Sequence, residues 1–189
     1  MTEHDNDAER FAERIKSGTA ITDSHPPVDK WNPDLSGDMD MVIQRDGRWL
    51  YKGSPLARKE IVKLFSTILR HDDDGEYYLV TPVEKWRIRV EDAPFVAHSV
   101  NVEGNGRDQV IWLTTNVDET VAVGANHPLE VLERDGEPAP YVRVRRNLTA
   151  LVERNAFYHL VNLAEPHEGG RNELGVWSQG DFWPLGSAE

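Results

Sequence analysis

Residues 85–90 are Lys85-Trp86-Arg87-Ile88-Arg89-Val90, a stretch in which basic and apolar side chains alternate without a break. Successive side chains of a β-strand point to opposite faces of the sheet. The stretch therefore predicts a strand with one buried face and one face that carries a row of positive charge. Further strands are predicted by similar runs between turn-forming residues, at 41–44, 48–52, 77–81, 95–102, 109–115, 120–123, 129–133, 141–145, 176–178 and 182–185.

Two amphipathic helices are predicted between these strands. Ser54-Pro55 supplies an N-cap followed by a first-turn proline, which predicts a helix that ends near Arg70. Asn147 caps a second predicted helix over 148–164, although its second half, 157–163, also fits a strand.

Tight turns give a first indication of an internal repeat. Asp46-Gly47 and Gln179-Gly180 each predict a hairpin, because their residue types accept the positive φ of a two-residue turn. Gly53 and Gly186 follow the two turn glycines at the same distance. The predicted fold class is α+β, with two related halves that each pair a small, mostly antiparallel sheet with one amphipathic helix.

The chain divides into three parts by composition. Residues 1–30 are polar and predict an N-terminal tail or a short helix. Gly104-Asn105-Gly106 is the strongest break, so 31–105 is predicted as an N-terminal α+β domain and 106–189 as a C-terminal one. The tail carries two apolar residues one helical turn apart, Phe11 and Ile15.

Composition excludes several classes of function. The chain has no cysteine, which removes disulfides, thiolate metal sites and cysteine nucleophiles. A net charge of -12 argues against duplex nucleic acid as a partner, because clustered cations drive such binding. The start of the sequence lacks the pattern of a secretory signal, and no apolar run is long enough for a membrane span. We therefore expect a cytoplasmic protein.

Several motifs are similar to those of a bacterial protein family. They are Asp46-Gly47-Arg48-Trp49, the run from Tyr78 to Trp86, the run from Val90 to Phe95, Asn116-Val117-Asp118, Gly175-Val176-Trp177-Ser178 and Pro184-Leu185-Gly186. From about residue 31 to 186, the chain resembles domain-of-unknown-function family 1285. The resemblance implies a duplicated α+β core and a second half loosely like pleckstrin-homology folds. It also implies a groove between the halves for a small ligand with a role in signalling, and a nucleotide-like molecule is one candidate for this ligand. It supplies no catalytic residues.

Basic side chains on strands form the first candidate site. Arg87 and Arg89 share one predicted face with Lys85, and Arg143 and Arg145 share another in the second half, followed by Arg146. The planar guanidinium can donate two hydrogen bonds to a phosphate at once. We therefore predict an anion site from Arg87, Arg89, Arg143 and Arg145. The alternative is a solvated strand face paired with the abundant acidic residues.

Aromatic residues form the second candidate. Tryptophan on an alternating strand usually contributes to the core, which is our expectation for most of the six in this chain. Trp177, beside Ser178 and a tight turn, is the exception, and we predict that both residues border the ligand.

No catalytic or metal-binding constellation is evident. His98 and Ser99 are adjacent on a predicted strand, so their side chains point to opposite faces and cannot act as base and nucleophile together. The acidic run from Asp72 to Glu76 lacks the ligand spacing of a calcium loop and predicts a turn. No cofactor motif occurs. We expect a non-enzymatic protein that binds a small anionic ligand. The alternatives are a protein-interaction module that uses an exposed strand edge and, third, a hydrolase.

Overall fold

The computed structural model describes residues 3–18, 25–169 and 172–187. Contacts between Cα atoms divide the chain into two compact units, Met1–Asp92 and Ala93–Glu189. Each unit has its own sheet and its own buried side chains. No helix among the described residues combines the length and the apolar character needed to cross a membrane.

The first unit contains two helices and a six-stranded sheet. Its elements are α1 (Glu3–Gly18), a 3-10 turn (Val28–Lys30), β1 (Gly37–Ile43), β2 (Trp49–Tyr51), β3 (Ser54–Pro55), α2 (Lys59–Thr67), β4 (Leu69–His71), β5 (Tyr77–Val80) and β6 (Lys85–Val90). The strand order is β3-β2-β1-β6-β5-β4. Only β1 and β6 pair in parallel; the other neighbours are antiparallel.

The second unit contains a six-stranded sheet, one helix and a three-stranded sheet. Its elements are β7 (Phe95–Glu103), a 3-10 turn (Gly106–Asp108), β8 (Val110–Thr115), β9 (Thr120–Ala122), β10 (Leu129–Arg134), β11 (Glu137–Arg145), β12 (Leu148–Val152), α3 (Arg154–Asn162), β13 (Glu165–Pro166), β14 (Glu173–Ser178) and β15 (Asp181–Ser187). The larger sheet has the order β10-β11-β12-β7-β8-β9, and the smaller has β13-β14-β15.

The two six-stranded sheets have the same topology. Each consists of two antiparallel three-stranded meanders, and the first strand of one meander pairs in parallel with the last strand of the other. The parallel pair is β1 with β6 in the first unit and β7 with β12 in the second. The predicted fold class, α+β with two related halves, is confirmed. The helices differ in position, because α2 lies between the meanders and α3 follows both.

The similar turn sequences suggest that the β1–β2 and β14–β15 hairpins are equivalent, but the strand order shows a different equivalence between the halves. Gly47 joins β1 to β2, and Gly180 joins β14 to β15. By strand order, the counterpart of the β1–β2 hairpin is β7–β8, whereas β14 and β15 belong to the additional three-stranded sheet. The repeat lies in the topology, and the similarity of these two turns reflects the shared demand for positive φ.

The first unit is layered, with α2 between α1 and the sheet. Phe65 of α2 is fully buried. Its ring lies 5.4 Å from that of Phe11 on α1 and 6.4 Å from that of Trp49 on β2, measured between centroids. Ile15 of α1 is also buried. Thus residues 3–18, predicted as part of a tail or short helix, form a helix with a buried apolar face.

Both predicted helices begin later than expected. Lys52 and Gly53 adopt positive φ and form a hairpin turn that places Ser54-Pro55 in β3, so this pair does not cap a helix. Leu148–Val152 is a strand whose alternate residues are buried, and the helix starts only at Arg154. In both places the neighbouring strand satisfies backbone groups that a helix would otherwise satisfy internally. The predicted end of the first helix, near Arg70, was also wrong, since α2 ends at Thr67 and Leu69–His71 is strand β4.

The division between units also lies elsewhere than predicted. The predicted boundary was 105/106, whereas the contacts divide the chain between Asp92 and Ala93. The reason is β7, which pairs with β8 and β12 and so belongs to the second sheet. Gly104 and Gly106 both adopt positive φ, but they form the connection between β7 and β8.

Candidate functional site

The basic face of β6 is the starting point for a candidate site in the first unit. Two of its three cations pair with acidic side chains. Lys85 lies 2.8 Å from a carboxylate oxygen of Asp72, and Arg87 lies 2.6 Å from one of Asp38. Arg89 is exposed and makes no ion pair with any residue that the structure describes. The predicted row of positive charge on β6 therefore contains one cation that is available to a ligand.

Lys85 belongs to a structural network. Asp72 accepts hydrogen bonds from Arg70, whose guanidinium also donates to the carbonyl oxygens of Val28 and Trp31 at 2.9 and 2.6 Å. Partial burial alone would raise the pKa of Asp72, but the hydrogen bonds from Arg70 and Lys85 hold it below its usual value. This network fastens the segment before β1 to the sheet.

A depression of about 490 Å³ lies beside Arg87 and Arg89, between β1, β6 and the start of β5. It coincides with an irregularity in the parallel pair. From Asp38 to Val42 β1 advances by four residues, while β6 advances by two, from Arg87 to Arg89. The extra residues leave the ladder and open the sheet locally, as bulges do beside many binding sites.

The walls of the depression carry charges of both signs. Its charged residues are two arginines and three acids, namely Arg87, Arg89, Asp38, Asp40 and Glu76. The hydrogen bond from Arg87 lowers the pKa of Asp38, so this pair stays ionised and neutralises itself. Arg89 remains to attract one anionic group, and Asp40 and Glu76 are acceptors for hydrogen-bond donors. The depression therefore suits a ligand that has one anionic group and also hydrogen-bond donors.

The two predicted arginines of the second unit have different surroundings. Arg143 is exposed and makes no ion pair among the described residues. Arg145 is largely buried: it pairs with Glu119, and its guanidinium lies 5.1 Å from the centre of the Phe95 ring. Burial lowers the pKa of Arg145. A register shift between Arg143 and Arg145 in β11 removes the simple alternation that predicted a shared face.

Trp177 and Ser178 make specific contacts within the second unit. Arg107 lies 4.7 Å from the centre of the Trp177 ring, and His167 and Phe182 also pack on this ring. Ser178 is fully buried. The ligand contacts of Trp177 and Ser178 stay predictions. The Trp177 ring already packs against these three side chains, and the Ser178 side chain is buried within the protein.

The Ser178 hydroxyl joins the small sheet to the large one. It accepts a hydrogen bond from the amide of Ile111 at 3.0 Å and donates one to the carbonyl of Val123 at 2.7 Å. Gln109 donates through its side chain to the carbonyl of Trp177. The predicted site residue Ser178 thus has a clear role in tertiary packing.

His98 and His159 are not placed as catalytic bases for a serine nucleophile among the described residues. His98 is exposed on β7, and neither His98 nor His159 hydrogen-bonds a serine or an aspartate within the part of the chain that is described. No three metal-ligating side chains come together among these residues. The acidic run from Asp72 to Glu76 forms the turn between β4 and β5, with positive φ at Gly75.

The chain matches the two domain models of one known protein family. The model of the N-terminal domain of DUF1285, a domain of unknown function, matches residues 26–93, and the model of its C-terminal domain matches residues 94–185. The chain belongs to the DUF1285 family. The boundary between the two family domains, 93/94, agrees with the division between the units within one residue.

Solved structures of DUF1285 proteins share this fold. The crystal structure of a family member from Silicibacter pomeroyi is 44% identical, covers 92% of each chain and superposes with a TM-score of 0.83. A member from Shewanella baltica is 30% identical, with 66% of this chain and 91% of that chain covered and a TM-score of 0.53. No curated protein matches the chain.

Sequence reasoning missed the acidic wall of the DUF1285 depression. Asp38 and Asp40 precede the predicted strand at 41–44, whereas β1 begins at Gly37. The signal was present, because Asp38-Met39-Asp40-Met41 alternates polar and apolar residues with the period of a strand. Gly37 also has a role here: at φ 144 and without a side chain, it lets the Trp86 ring approach the start of β1.

Proposed function

We propose that this DUF1285 protein is a non-enzymatic binding protein for a small ligand that carries one anionic group and several hydrogen-bond donors. The observation that carries the proposal is Arg89, an exposed arginine without an ion pair among the described residues, at the edge of a depression of about 490 Å³. Arg87 also lines the depression, and its charge is neutralised by the ion pair with Asp38. A regulatory role for such binding is what the family resemblance suggests.

Among phosphate ligands, the charges of the depression favour one with a single phosphate. Asp40 and Glu76 would repel the additional charges of a di- or triphosphate, whereas they can accept hydrogen bonds from ribose hydroxyls or a base amino group. A nucleoside monophosphate has this combination. We therefore choose it as the representative of the small, nucleotide-like ligands.

Calorimetric titration with AMP, GMP, CMP, UMP and inorganic phosphate tests the proposal. A hydrogen bond to a charged group contributes about 1.5–3 kcal/mol, so Arg89→Gln should weaken binding of a monophosphate by about 10-fold to 150-fold. Asp40→Asn should strengthen the binding of inorganic phosphate, because it removes a repulsive charge. The control is Arg154→Gln, an exposed arginine on α3. Equal affinities of the Arg89 and Arg154 variants would refute the assignment.

A second candidate function is that of a protein-interaction module. The observation in its favour is Leu132, which is 45% exposed on β10, an edge strand of the second unit's large sheet. Exposed apolar side chains on an unpaired strand edge are typical of surfaces that bind other chains. The third hypothesis, a hydrolase, has no comparable observation in its support.

A further inference from the structure

Two strand edges of the second unit border a cleft, and a role for this cleft rests on the second candidate function, protein binding at the β10 edge. β10 pairs with β11 on one side, and β15 pairs with β14 on one side. No strand among the described residues pairs with the other side of either. The two strands lie close together without forming a ladder, and a cleft of about 390 Å³ opens between them. It lies within one unit and is independent of the depression beside Arg89.

The cleft has an apolar wall at Leu132. This leucine is opposite Ala139 in the β10–β11 pair. Ala139 is buried, but its small side chain does not cover the leucine, which remains 45% exposed. Leu185 of β15 also lines the cleft but is itself buried, so Leu132 supplies the exposed apolar surface. A partner that contacts both strands would remove this apolar surface from water.

The charged groups of the cleft are acceptors, and the one side-chain donor among its lining residues is the hydroxyl of Ser187. Its two charged residues are Glu133 and Glu173, and neither carboxylate makes an ion pair with a residue that the structure describes. Two other lining residues, Pro138 and Pro184, lack a backbone N–H and offer only a carbonyl oxygen. The cleft therefore favours a cation that donates several hydrogen bonds, and the guanidinium of arginine donates five.

We propose that this cleft binds a segment of a partner protein in which arginine stands next to an aliphatic residue. Leu132 and Glu133 point to opposite faces of β10, so the arginine of an extended partner pairs with Glu133 and Glu173 while the neighbouring aliphatic side chain, on the other face, covers Leu132. Anionic partners are repelled by the two carboxylates. A second copy of the chain is an unfavourable occupant, because its net charge of -12 would oppose its approach to an acidic cleft.

Fluorescence polarisation with a labelled peptide, acetyl-Gly-Arg-Leu-Arg-Val-Gly-amide, tests the proposal on the full chain. Saturable binding is expected, and Glu133→Lys and Glu173→Lys should each weaken it by at least 10-fold. Leu132→Ser should also weaken it, without changing its dependence on salt. A peptide with glutamate in place of both arginines should not bind.

The control variant is Asp73→Lys, which makes the same change in net charge at an exposed turn of the first unit. Its affinity for the peptide should equal that of the unmodified protein. An equal loss in the Asp73 variant would overturn the proposal, because binding would then follow overall charge. Absence of saturable binding would overturn it as well. Competition with free arginine gives a third outcome that would overturn the proposal. If free arginine displaces the labelled peptide at the same concentration as unlabelled peptide does, the cleft recognises only a small cation.

Discussion

Ser178→Ala removes a buried hydroxyl that holds two sheets of the second unit together. The oxygen atom accepts from the Ile111 amide and donates to the Val123 carbonyl, and the side chain is inaccessible to solvent. After the substitution Val123 keeps a donor, because the side chain of Gln179 also donates to its carbonyl oxygen at 3.0 Å. The Ile111 amide loses the acceptor that Ser178 supplies.

The loss of this acceptor sets the expected magnitude. A buried donor left without its partner costs about 1–3 kcal/mol of unfolding free energy. For the second unit, Ala93–Glu189, unfolding as one domain of roughly 100 residues, each kcal/mol lowers the denaturation midpoint by about 4–8 °C. We expect a decrease of roughly 8–16 °C for a central cost of about 2 kcal/mol.

Thermal denaturation followed by circular dichroism provides the measurement, and amide hydrogen exchange localises the effect. The Ile111 amide should exchange faster in the variant. Ser187→Ala is the matched control, since Ser187 is exposed on β15. It should change stability by no more than about 0.5 kcal/mol. If the two variants denature at the same temperature, the reasoning from the buried hydroxyl is refuted.

Three further perturbations test other parts of the structure. Glu119→Gln removes the carboxylate that pairs with the largely buried Arg145, and we expect a loss in urea-unfolding free energy near the lower end of about 3–5 kcal/mol; an unchanged midpoint would contradict the pairing. The hydrogen bond that Tyr78 donates to Asp74 raises the pKa of Tyr78 to about 12. This hydrogen bond therefore contributes to stability in full below pH 10, and its contribution is lost as pH rises towards 12. When urea midpoints are measured across this pH range, Tyr78→Phe should abolish the decrease that comes from this bond. Phe11→Ala removes the ring of α1 that packs on Phe65, so trypsin should cleave within α1 faster than in the unmodified protein, and equal rates would argue against the docked helix.

Part of the candidate site followed directly from local sequence. The alternation over 85–90 placed Arg87 and Arg89 on one face of a strand, and β6 has these bounds. Which of the two is available depends on Asp38, which is 49 residues away and pairs with Arg87. The bulge that opens the depression is a property of the β1–β6 pair, so neither strand's sequence alone could predict it.

The arginines of β11 illustrate the same limit. Alternation placed Arg143 and Arg145 on a common face, but a register shift between them separates their environments. Arg145 became largely buried, and Arg143 stayed exposed. Ser178 is similar, because its two backbone partners lie 67 and 55 residues away in sequence. No local pattern carries that information.

The sequence by itself determined the α+β class, most strand positions and the tight turns at Gly47, Gly75 and Gly180, which all adopt positive φ. These features depend on side-chain periodicity and on backbone conformations that each residue expresses locally. Tertiary structure alone decided the repeated strand order, the strand identity of Leu148–Val152 and the partner of each arginine. These depend on pairing between distant segments, because a buried backbone group or charge is stabilised by whichever partner the whole fold brings to it.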